Sequence, residues 1–457
     1  MLRSAPMAFR RRRSAVETEI GTPLRMRPLA CPALEGNVLQ DSTVSARPRW
    51  ERDLPTPATR VLVVLHDPRW GGPKGIALNI GCAMKEAGWP WVVLLPREAT
   101  ESAERLRAAG LEVLTAPIGR VRKLTSPSAV WMSIRSALFD PAHLASIIRQ
   151  HDIGVVQAAG LHNFQAPVAA RLTGRALVWQ IHASMLPAAA RLFLSPFAIS
   201  MADVIMTNGL TAGEKFPGVR RLGNRRTVFY APVDCQLFRY DSARRLVARN
   251  VLGASPSDIV IGTLGNRAPV KGHDIFLRAV RRIILAHEEV KVRVLAAPVE
   301  GTQEWYEREV LSLAQTLNAQ RKNSVSVVDP HGNVAAFLNG LDIFAMPSRA
   351  EGVPLAIAEA MASELPVVSF DVGSIAEVVA HGQTGFIVPA GNEEAFAARL
   401  EVLVEQSMQR RDMGVRGRKR IIDDFGIGKV VEAHVRAYEA AVKNAASRRA
   451  QAGVGTT

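Results

Sequence analysis

The sequence predicts an α/β protein made of two doubly wound domains that face a central cleft. Apolar runs of strand length alternate with helical stretches, as expected for open parallel sheets covered by helices on both faces. The alternation occurs in two series, separated by residues 231–255. The chain has 457 residues, of which 48% are hydrophobic. That length and composition allow two domains with full cores.

Seven strands are predicted in the first series. The run 60–66 is followed by a glycine-containing loop, a helix over 76–87 and a strand over 91–95. This order is one strand–helix–strand unit of a parallel sheet. The other strands of the series are predicted at 111–114, 153–156, 176–181, 204–206 and 226–230.

Six strands and a final helix are predicted in the second series. The helix covers about 429–443 and has apolar residues at helical spacing. The strands are predicted at 258–264, 292–295, 324–328, 343–346, 366–369 and 385–388. Ligands of open parallel sheets bind at the carboxyl ends of the strands, so functional residues are expected in the loops that follow them.

These elements predict the domain organisation. The first domain covers 58–235 and the second 236–427, and a helix over 428–446 packs back on the first domain. Residues 1–57 form a basic, mobile tail, and 447–457 form a second tail. The arginine run 10–13 in the first tail has two interpretations, a solvated arm and a contact with an anionic membrane.

The net charge of +15 favours polyanionic partners, namely nucleic acid, anionic lipid or phosphorylated small molecules. Nucleic acid is the least favoured of the three, because the chain has only four tyrosines and no zinc finger, RNA-recognition or helix-turn-helix signature. Arg120, Arg122 and Lys123, together with Trp131, are interpreted either as a membrane-facing patch or as a solvated helix face.

Cysteine usage and hydropathy predict a cytoplasmic protein, or one at the inner face of the cytoplasmic membrane. Cys31, Cys82 and Cys235 share no metal-ligand spacing, and an odd count favours a reducing compartment. The N-terminal arginines are not followed by the apolar run of a secretory leader. No stretch reaches the roughly 18 apolar residues of a membrane span.

Two carboxylates follow the predicted strand 343–346. Glu351 lies in the loop after the strand, and Glu359 lies eight residues further on, in the next helix. The loop directs backbone N–H groups and a helix N-terminus towards the cleft, where an anion can bind. Carboxylates accept hydrogen bonds from hydroxyl groups, as a sugar or ribose requires. The alternative interpretation is two helix-surface charges.

A glycine and two cations follow the predicted strand 258–264. Gly265 permits a tight turn, and Arg267 and Lys271 are expected to converge on one anionic point. A guanidinium and an ammonium together suit a diphosphate leaving group.

The two motifs, in this order, resemble those of the large retaining glycosyltransferase family usually numbered four, which has the GT-B fold of two Rossmann-like domains. The resemblance covers residues 58–440 and is densest over 260–400. It implies that Glu351 contacts the donor sugar and Glu359 the ribose, and that Arg267 and Lys271 stabilise the departing diphosphate. It assigns the backbone lining of sugar and phosphates to Gly352, Val353, Pro354 and Leu355.

The resemblance extends to the first domain, which would bind the acceptor. Gly71 and Gly72 are similar to the glycine loop that admits the donor phosphates. His182, at the end of the strand 176–181, resembles a histidine that contacts the donor sugar; the alternative is a structural histidine. Asn266 occupies the place of the family's usual arginine, one residue before Arg267, and is expected to share its role.

The implied function is transfer of a sugar from a nucleotide-diphosphate sugar to a glycan or lipid-linked acceptor, with retention and with neither metal nor cofactor. The sequence contains no Asp-x-Asp, no P-loop and no nucleophile elbow. Two alternatives stay open. One is a nucleotide-sugar epimerase or phosphorylase on the same scaffold, and the other is a non-catalytic, membrane-associated partner protein.

Overall fold

The computed structural model describes residues 59–454 apart from 69–71, 119–126, 162, 182–187, 231, 298–303, 329–333 and 353. The predicted tail 1–57 lies outside the described residues, as do Arg120, Arg122 and Lys123. Residues 447–454 of the second predicted tail, 447–457, instead continue the last helix, which ends at Val454. The backbone of Trp131 lies in a described helix, but the structure does not describe its side chain.

The first sheet has seven strands, all parallel, in the order β3-β2-β1-β4-β5-β6-β7. Its strands are β1 Arg60–Val64, β2 Trp91–Pro96, β3 Glu112–Ala116, β4 Ile153–Ala159, β5 Ala176–Ile181, β6 Val204–Asn208 and β7 Arg226–Phe229. All seven predicted strands of the first series are confirmed. They form because side chains on both faces are apolar, and β2 and β5 are buried along their whole length.

The second sheet has six parallel strands in the order β10-β9-β8-β11-β12-β13. Its strands are β8 Ile259–Asn266, β9 Val290–Ala297, β10 Val325–Val328, β11 Ile343–Met346, β12 Val367–Phe370 and β13 Gly385–Val388. The six predicted strands of the second series are confirmed, and with them the two doubly wound sheets. The strand order reverses between β8 and β11, which is where ligands of such sheets bind.

Helices cover both faces of each sheet. Their bounds are α1 Gly72–Glu86, α2 Thr100–Ala108, α3 Pro127–Gln150, α4 Gln165–Leu172, α5 Ala188–Met201, α6 Leu210–Glu214, α7 Ser242–Val251, α8 His273–Ala286, α9 Glu304–Gln320, α10 Val334–Gly340, α11 Leu355–Ala362, α12 Ile375–Val378, α13 Glu393–Glu405, α14 Ser407–Phe425 and α15 Ile427–Val454. Alternate residues of β1 show the layering: Val61 and Val63 pack with α1, α2 and α15, whereas Leu62 and Val64 pack with α3, α4 and α5.

The last helix, α15, links the two halves. It follows α14 of the second sheet but packs against α1 and the strands of the first sheet. Its polar contacts there include those of His434 with Gln180 and of Tyr438 with Gln157. We therefore call β1–β7 with α1–α6 and α15 the N-terminal unit, and β8–β13 with α7–α14 the C-terminal unit.

Several arginines of this basic chain cap the carboxyl ends of helices with their guanidinium groups. Arg418 donates to the carbonyl of Ala362, the last residue of α11, and Arg420 donates to two carbonyls at the end of α12. Arg225, Arg321 and Arg410 do the same for α5, α8 and α13. Cations at helix C-termini satisfy orphan carbonyls and complement the helix dipole. Three basic residues of the segment 410–420, namely Arg410, Arg418 and Arg420, therefore have structural roles.

Among the helices that the structure describes, none is long and apolar enough to cross a membrane.

Candidate active site

The two motif-bearing loops are neighbours because their strands are neighbours. β8 pairs with β11 in parallel register, so the loop after each strand leaves the same edge of the sheet. The first loop runs from Asn266 to the start of α8, and the second runs from Pro347 to the start of α11. Gly272 has φ +69°, and a Cβ there would lie 2.1 Å from the carbonyl oxygen of Pro347, so only glycine lets the loops approach this closely.

The centre of the site is an ion pair between the loops. The Lys271 Nζ lies 2.9 Å from the Glu351 Oε1. The Glu351 side chain is 6% exposed, whereas that of Lys271 is 27% exposed and open to the cleft. Gly265 lies beneath the lysine stem, since a Cβ at that position would be 3.2 Å from the Lys271 Cγ. The Lys271 cation of one sequence motif thus pairs with the Glu351 carboxylate of the other.

A second ion pair, which the sequence analysis missed, fastens the same two loops. Arg349 donates to both carboxylate oxygens of Asp274, at 2.9 and 2.7 Å, and its backbone N–H donates to the carbonyl of Val270. Asp274 also accepts from the Tyr306 hydroxyl at 2.7 Å. Although burial alone would raise it, donation from Arg349 and Tyr306 lowers the pKa of Asp274 far below its ordinary value. A bidentate pair of this kind fixes orientation as well as distance.

Arg267 has a different partner from Lys271. Its side chain is buried, and it donates to the carbonyl of Ala296 at 3.0 Å and to the Glu307 carboxylate of α9. β9, which carries Ala296, borders β8 on the side opposite to β11. The expected convergence of Arg267 and Lys271 on one anionic point is therefore not seen in this structure, because each cation is held by a carboxylate on its own side of β8.

Asn266 ends β8 and supports the start of α8 through its backbone. Its carbonyl lies 3.1 Å from the Nε2 of His273, which is fully buried. Burial lowers the pKa of His273 to about 4, so this imidazole is neutral at physiological pH. Asn266 itself is exposed, so its side chain is accessible to a ligand.

The second carboxylate of the motif, Glu359, lies in the second turn of α11, whose first residue is Leu355. Its carboxylate makes no hydrogen bond or ion pair with any residue in the described part of the chain. Burial raises its pKa to about 8, so the carboxyl is largely protonated in this structure at neutral pH. Pro354 is the buried N-cap residue of α11, Gly352 is half-buried, and Val353 lies outside the described residues.

The N-terminal unit reaches the site through the start of α1. A Cβ at Gly75 would lie 4.0 Å from the Leu355 Cδ2, so the N-termini of α1 and α11 meet. The helix was expected to begin at residue 76, but it begins at Gly72, which is therefore a helix residue rather than a loop residue. The buried Lys74 in its first turn donates to the carbonyl of Asp67. Gly71 and His182 lie outside the described residues.

The chain resembles known glycosyltransferases in sequence. Residues 258–406 match the family described as "Glycosyl transferases group 1". The capsular polysaccharide biosynthesis glycosyltransferase CapM of Staphylococcus aureus is 31% identical over 168 residues, which are 37% of this chain and 42% of CapM. The D-inositol 3-phosphate glycosyltransferase of Nocardia farcinica is 27% identical over 259 residues, 56% of this chain and 57% of that protein.

The lipopolysaccharide core biosynthesis mannosyltransferase LpsB of Rhizobium meliloti is 26% identical over 254 residues, covering 54% of this chain and 69% of LpsB. The chain spans about half the length of the curated relatives it matches.

Solved glycosyltransferase structures share the fold. A glycosyltransferase of Rickettsia africae superimposes with a TM-score of 0.70 at 14% identity, over 84% of this chain and 99% of that one. Anabaena HepE in complex with UDP and glucose superimposes with a TM-score of 0.67 at 17% identity, over 83% of this chain and 99% of HepE. The chain therefore has the GT-B fold, and over residues 258–406 its sequence matches the glycosyl transferases group 1 family.

Proposed function

We propose that the chain transfers a sugar from a nucleotide-diphosphate sugar to a glycan or lipid-linked acceptor, with retention and without a metal. The observation that carries the proposal is the ion pair of Lys271 and Glu351 at the point where the strand order reverses, next to the N-terminus of α11. A site for a sugar diphosphate needs a cation, a hydroxyl acceptor and a set of N–H donors close together.

The pair is suited to exchange partners when a donor binds. In its absence the Lys271 ammonium is balanced by Glu351. A diphosphate over the N-terminus of α11 would draw the ammonium to itself and leave the carboxylate free to accept from sugar hydroxyls. The ammonium and the helix N–H groups then stabilise the charge that develops on the leaving phosphate. Arg349 and Asp274 keep the two loops in place during this exchange.

Glu359 is proposed to bind the ribose. A protonated carboxyl both donates and accepts, so at neutral pH it can pair with two ribose hydroxyls without the cost of a buried charge. Its position one turn into α11 puts it behind the phosphate-binding N-terminus. Donor binding at this residue is therefore expected to depend on pH near 8, the approximate pKa of its carboxyl.

Retention fits a same-face reaction at the anomeric carbon. The bond from that carbon to the diphosphate oxygen breaks, the bond to the acceptor oxygen forms on the same face, and the acceptor proton passes to the leaving phosphate. Fixed cations supply the charge neutralisation, and the sequence has no Asp-x-Asp motif for a metal. The anomeric configuration of the product, measured by NMR, tests this part of the proposal.

The acceptor is proposed to enter from the N-terminal unit. CapM is named for capsular polysaccharide biosynthesis and LpsB for the lipopolysaccharide core, so a glycan or lipid-linked acceptor suits this chain too. Closure of the two units over the donor would exclude water, so that transfer prevails over hydrolysis.

Thermal shift with UDP, GDP, ADP and CMP tests the donor site. One diphosphate at a hundred times its dissociation constant should stabilise the wild type by about 2.7 kcal/mol. Lys271→Ala should lose that response, whereas Lys322→Ala, at an exposed lysine that follows α9, should keep it. The absence of stabilisation of the wild type by any of the nucleotides would contradict the donor site and favour the non-catalytic alternative.

A further inference from the structure

The two units touch at a second place, away from the ion pair of the donor site. Glu377 lies in α12 of the C-terminal unit, and its carboxylate accepts from the backbone N–H groups of Leu210, at 2.6 Å, and Thr211, at 2.8 Å. Both donors begin α6 of the N-terminal unit. The same carboxylate accepts from the Tyr230 hydroxyl at 2.9 Å. We call this contact the Glu377 seam.

The seam is closely packed. Ser374, at the N-terminus of α12, donates through its hydroxyl to the carbonyl of Asn208, at 3.3 Å. Gly209 has φ +82°, and a Cβ there would lie 2.4 Å from the Ser374 Oγ and 3.1 Å from the Glu377 Oε1. Only glycine permits both that backbone and that approach. The turn between β6 and α6 is therefore shaped to receive α12.

The seam also adjoins both places where the chain passes between the units. Tyr230 directly follows β7, and its ring packs 4.9 Å from that of Phe425, the last residue of α14. Beyond these rings, Val233 and Gly426 form a parallel bridge between the two passing segments. Glu377 thus bonds to Tyr230, in the segment that passes from β7 to α7, and also to the first turn of α6.

The carboxylate is bound in its charged form. Burial alone would raise the pKa of Glu377, but the N–H donors of Leu210 and Thr211 outweigh it and lower the pKa below its ordinary value. Arg420 donates to the carbonyls of Glu377 and Val378, which fixes α12 from its C-terminal end. Charge-assisted hydrogen bonds of this kind are the stronger ones in proteins.

The seam is tied to the donor site through one glycine. A Cβ at Gly373 would lie 2.3 Å from the carbonyl oxygen of Glu351, so the segment leading into α12 rests directly on the loop that holds the Lys271 partner. A movement of the Glu351 loop would therefore reach Ser374 and Glu377, and through them the N-terminal unit.

We propose that Glu377 is a positioning residue, which holds the N-terminal unit against the donor side of the cleft so that acceptor and donor meet in a reactive arrangement. Its catalytic consequence rests on the proposed function, but the contact itself does not. Loss of the Glu377 carboxylate should loosen the units without disturbing the donor site on the C-terminal unit.

Hydrogen exchange of the ligand-free protein tests the contact. In Glu377→Gln the amide protons of Leu210 and Thr211 should exchange at least about tenfold faster than in the wild type, because one charged acceptor for two N–H groups is lost. The amides of β6 should keep their wild-type rates. Glu288→Gln, at an exposed turn residue between α8 and β9, is the matched control and should change neither set. Wild-type exchange at Leu210 and Thr211 in Glu377→Gln would overturn the proposal.

Kinetics test the positioning role. Glu377→Gln should lower kcat about tenfold or more while the KM for the donor stays within about twofold, since the donor contacts are unchanged. Tyr230→Phe, which removes one hydrogen bond and keeps the ring packing, should give a smaller loss of the same kind and serves if Glu377→Gln folds poorly. A raised donor KM with unchanged kcat would contradict positioning. Because the exchange experiment needs no donor, the seam and the donor site can fail independently.

Discussion

At the residue scale, the two carboxyl groups of the proposed donor site have different surroundings. Glu351 is paired with Lys271 at 2.9 Å, whereas burial without a partner among the described residues raises the pKa of Glu359 to about 8. The difference follows from position alone, since Glu351 lies in the loop facing β8 and Glu359 lies inside α11. The Glu351 carboxylate can bind a cation or a sugar, whereas the Glu359 carboxyl can bind hydroxyl groups.

The raised pKa of Glu359 makes stability depend on pH. The folded protein holds this proton more tightly than the unfolded chain, whose glutamates have a pKa near 4.5. The associated stability is therefore fully present below about pH 4.5 and is lost as the pH rises through about 8. Glu359→Gln cannot lose the proton, so its free energy of unfolding should exceed that of the wild type by about 2–4 kcal/mol more at pH 8.5 than at pH 5.5.

Denaturant titrations of both proteins at the two pH values measure that difference, and other titrating groups cancel in the comparison. An equal gap at pH 5.5 and pH 8.5 would show that Glu359 is ionised in the folded protein, and its assignment to the ribose would then need a charged carboxylate.

At the element scale, the arginine caps explain where much of the positive charge is used. A +15 chain suggests a surface for polyanions, yet Arg410, Arg418 and Arg420 donate to carbonyls inside the C-terminal unit. Arg418 connects the carbonyl of Ala362 at the end of α11 with those of Phe238 and Cys235 in the segment that leaves the N-terminal unit. The cap therefore joins α11, the helix of the proposed donor site, to the segment that passes from β7 to α7.

Removal of the Arg418 cap should destabilise the protein. Arg418→Met keeps the aliphatic stem but leaves three carbonyls without their donor, which should cost about 1–3 kcal/mol. Arg411→Met, at an exposed position of the same helix, should cost less than about 0.5 kcal/mol. Urea unfolding of the two variants measures both values, and equal stability would show that water replaces the Arg418 contacts at no cost.

Sequence patterns predicted the strands better than the side-chain pairs that join distant parts of the chain. The thirteen strands follow from local apolar runs, and the two carboxylates and Lys271 follow from their places after strands. The pairing of Arg267 with Glu307 and that of Arg349 with Asp274 join residues 40 and 75 positions apart. Nothing in a local pattern identifies such partners, because they depend on how α9 and the loop after β11 pack on β8. The start of α1 at Gly72 was missed because its first turn has no apolar periodicity.

At the scale of the whole molecule, two segments connect the units and two contacts set their arrangement. The chain passes from β7 to α7 and returns from α14 to α15, and α15 then covers the face of the N-terminal sheet that α1 and α2 share. The start of α1 meets the start of α11 across the cleft, and the Glu377 seam lies beside the crossings. A cleft built in this way can open and close about the crossings while each sheet stays rigid. The domain boundaries at 235 and 427 stay predictions.

The most direct test of the central claim is the release of nucleoside diphosphate from a panel of UDP-, GDP- and ADP-sugars, measured with the wild type and with Lys271→Ala. We expect the wild type to turn over donors of one base, slowly with water and faster with a suitable acceptor. Lys271→Ala should lose about a hundredfold or more of that rate, because the leaving diphosphate loses its cation. Equal turnover by the two proteins would contradict the role of the Lys271–Glu351 site, and no turnover of any donor by the wild type would contradict glycosyl transfer itself.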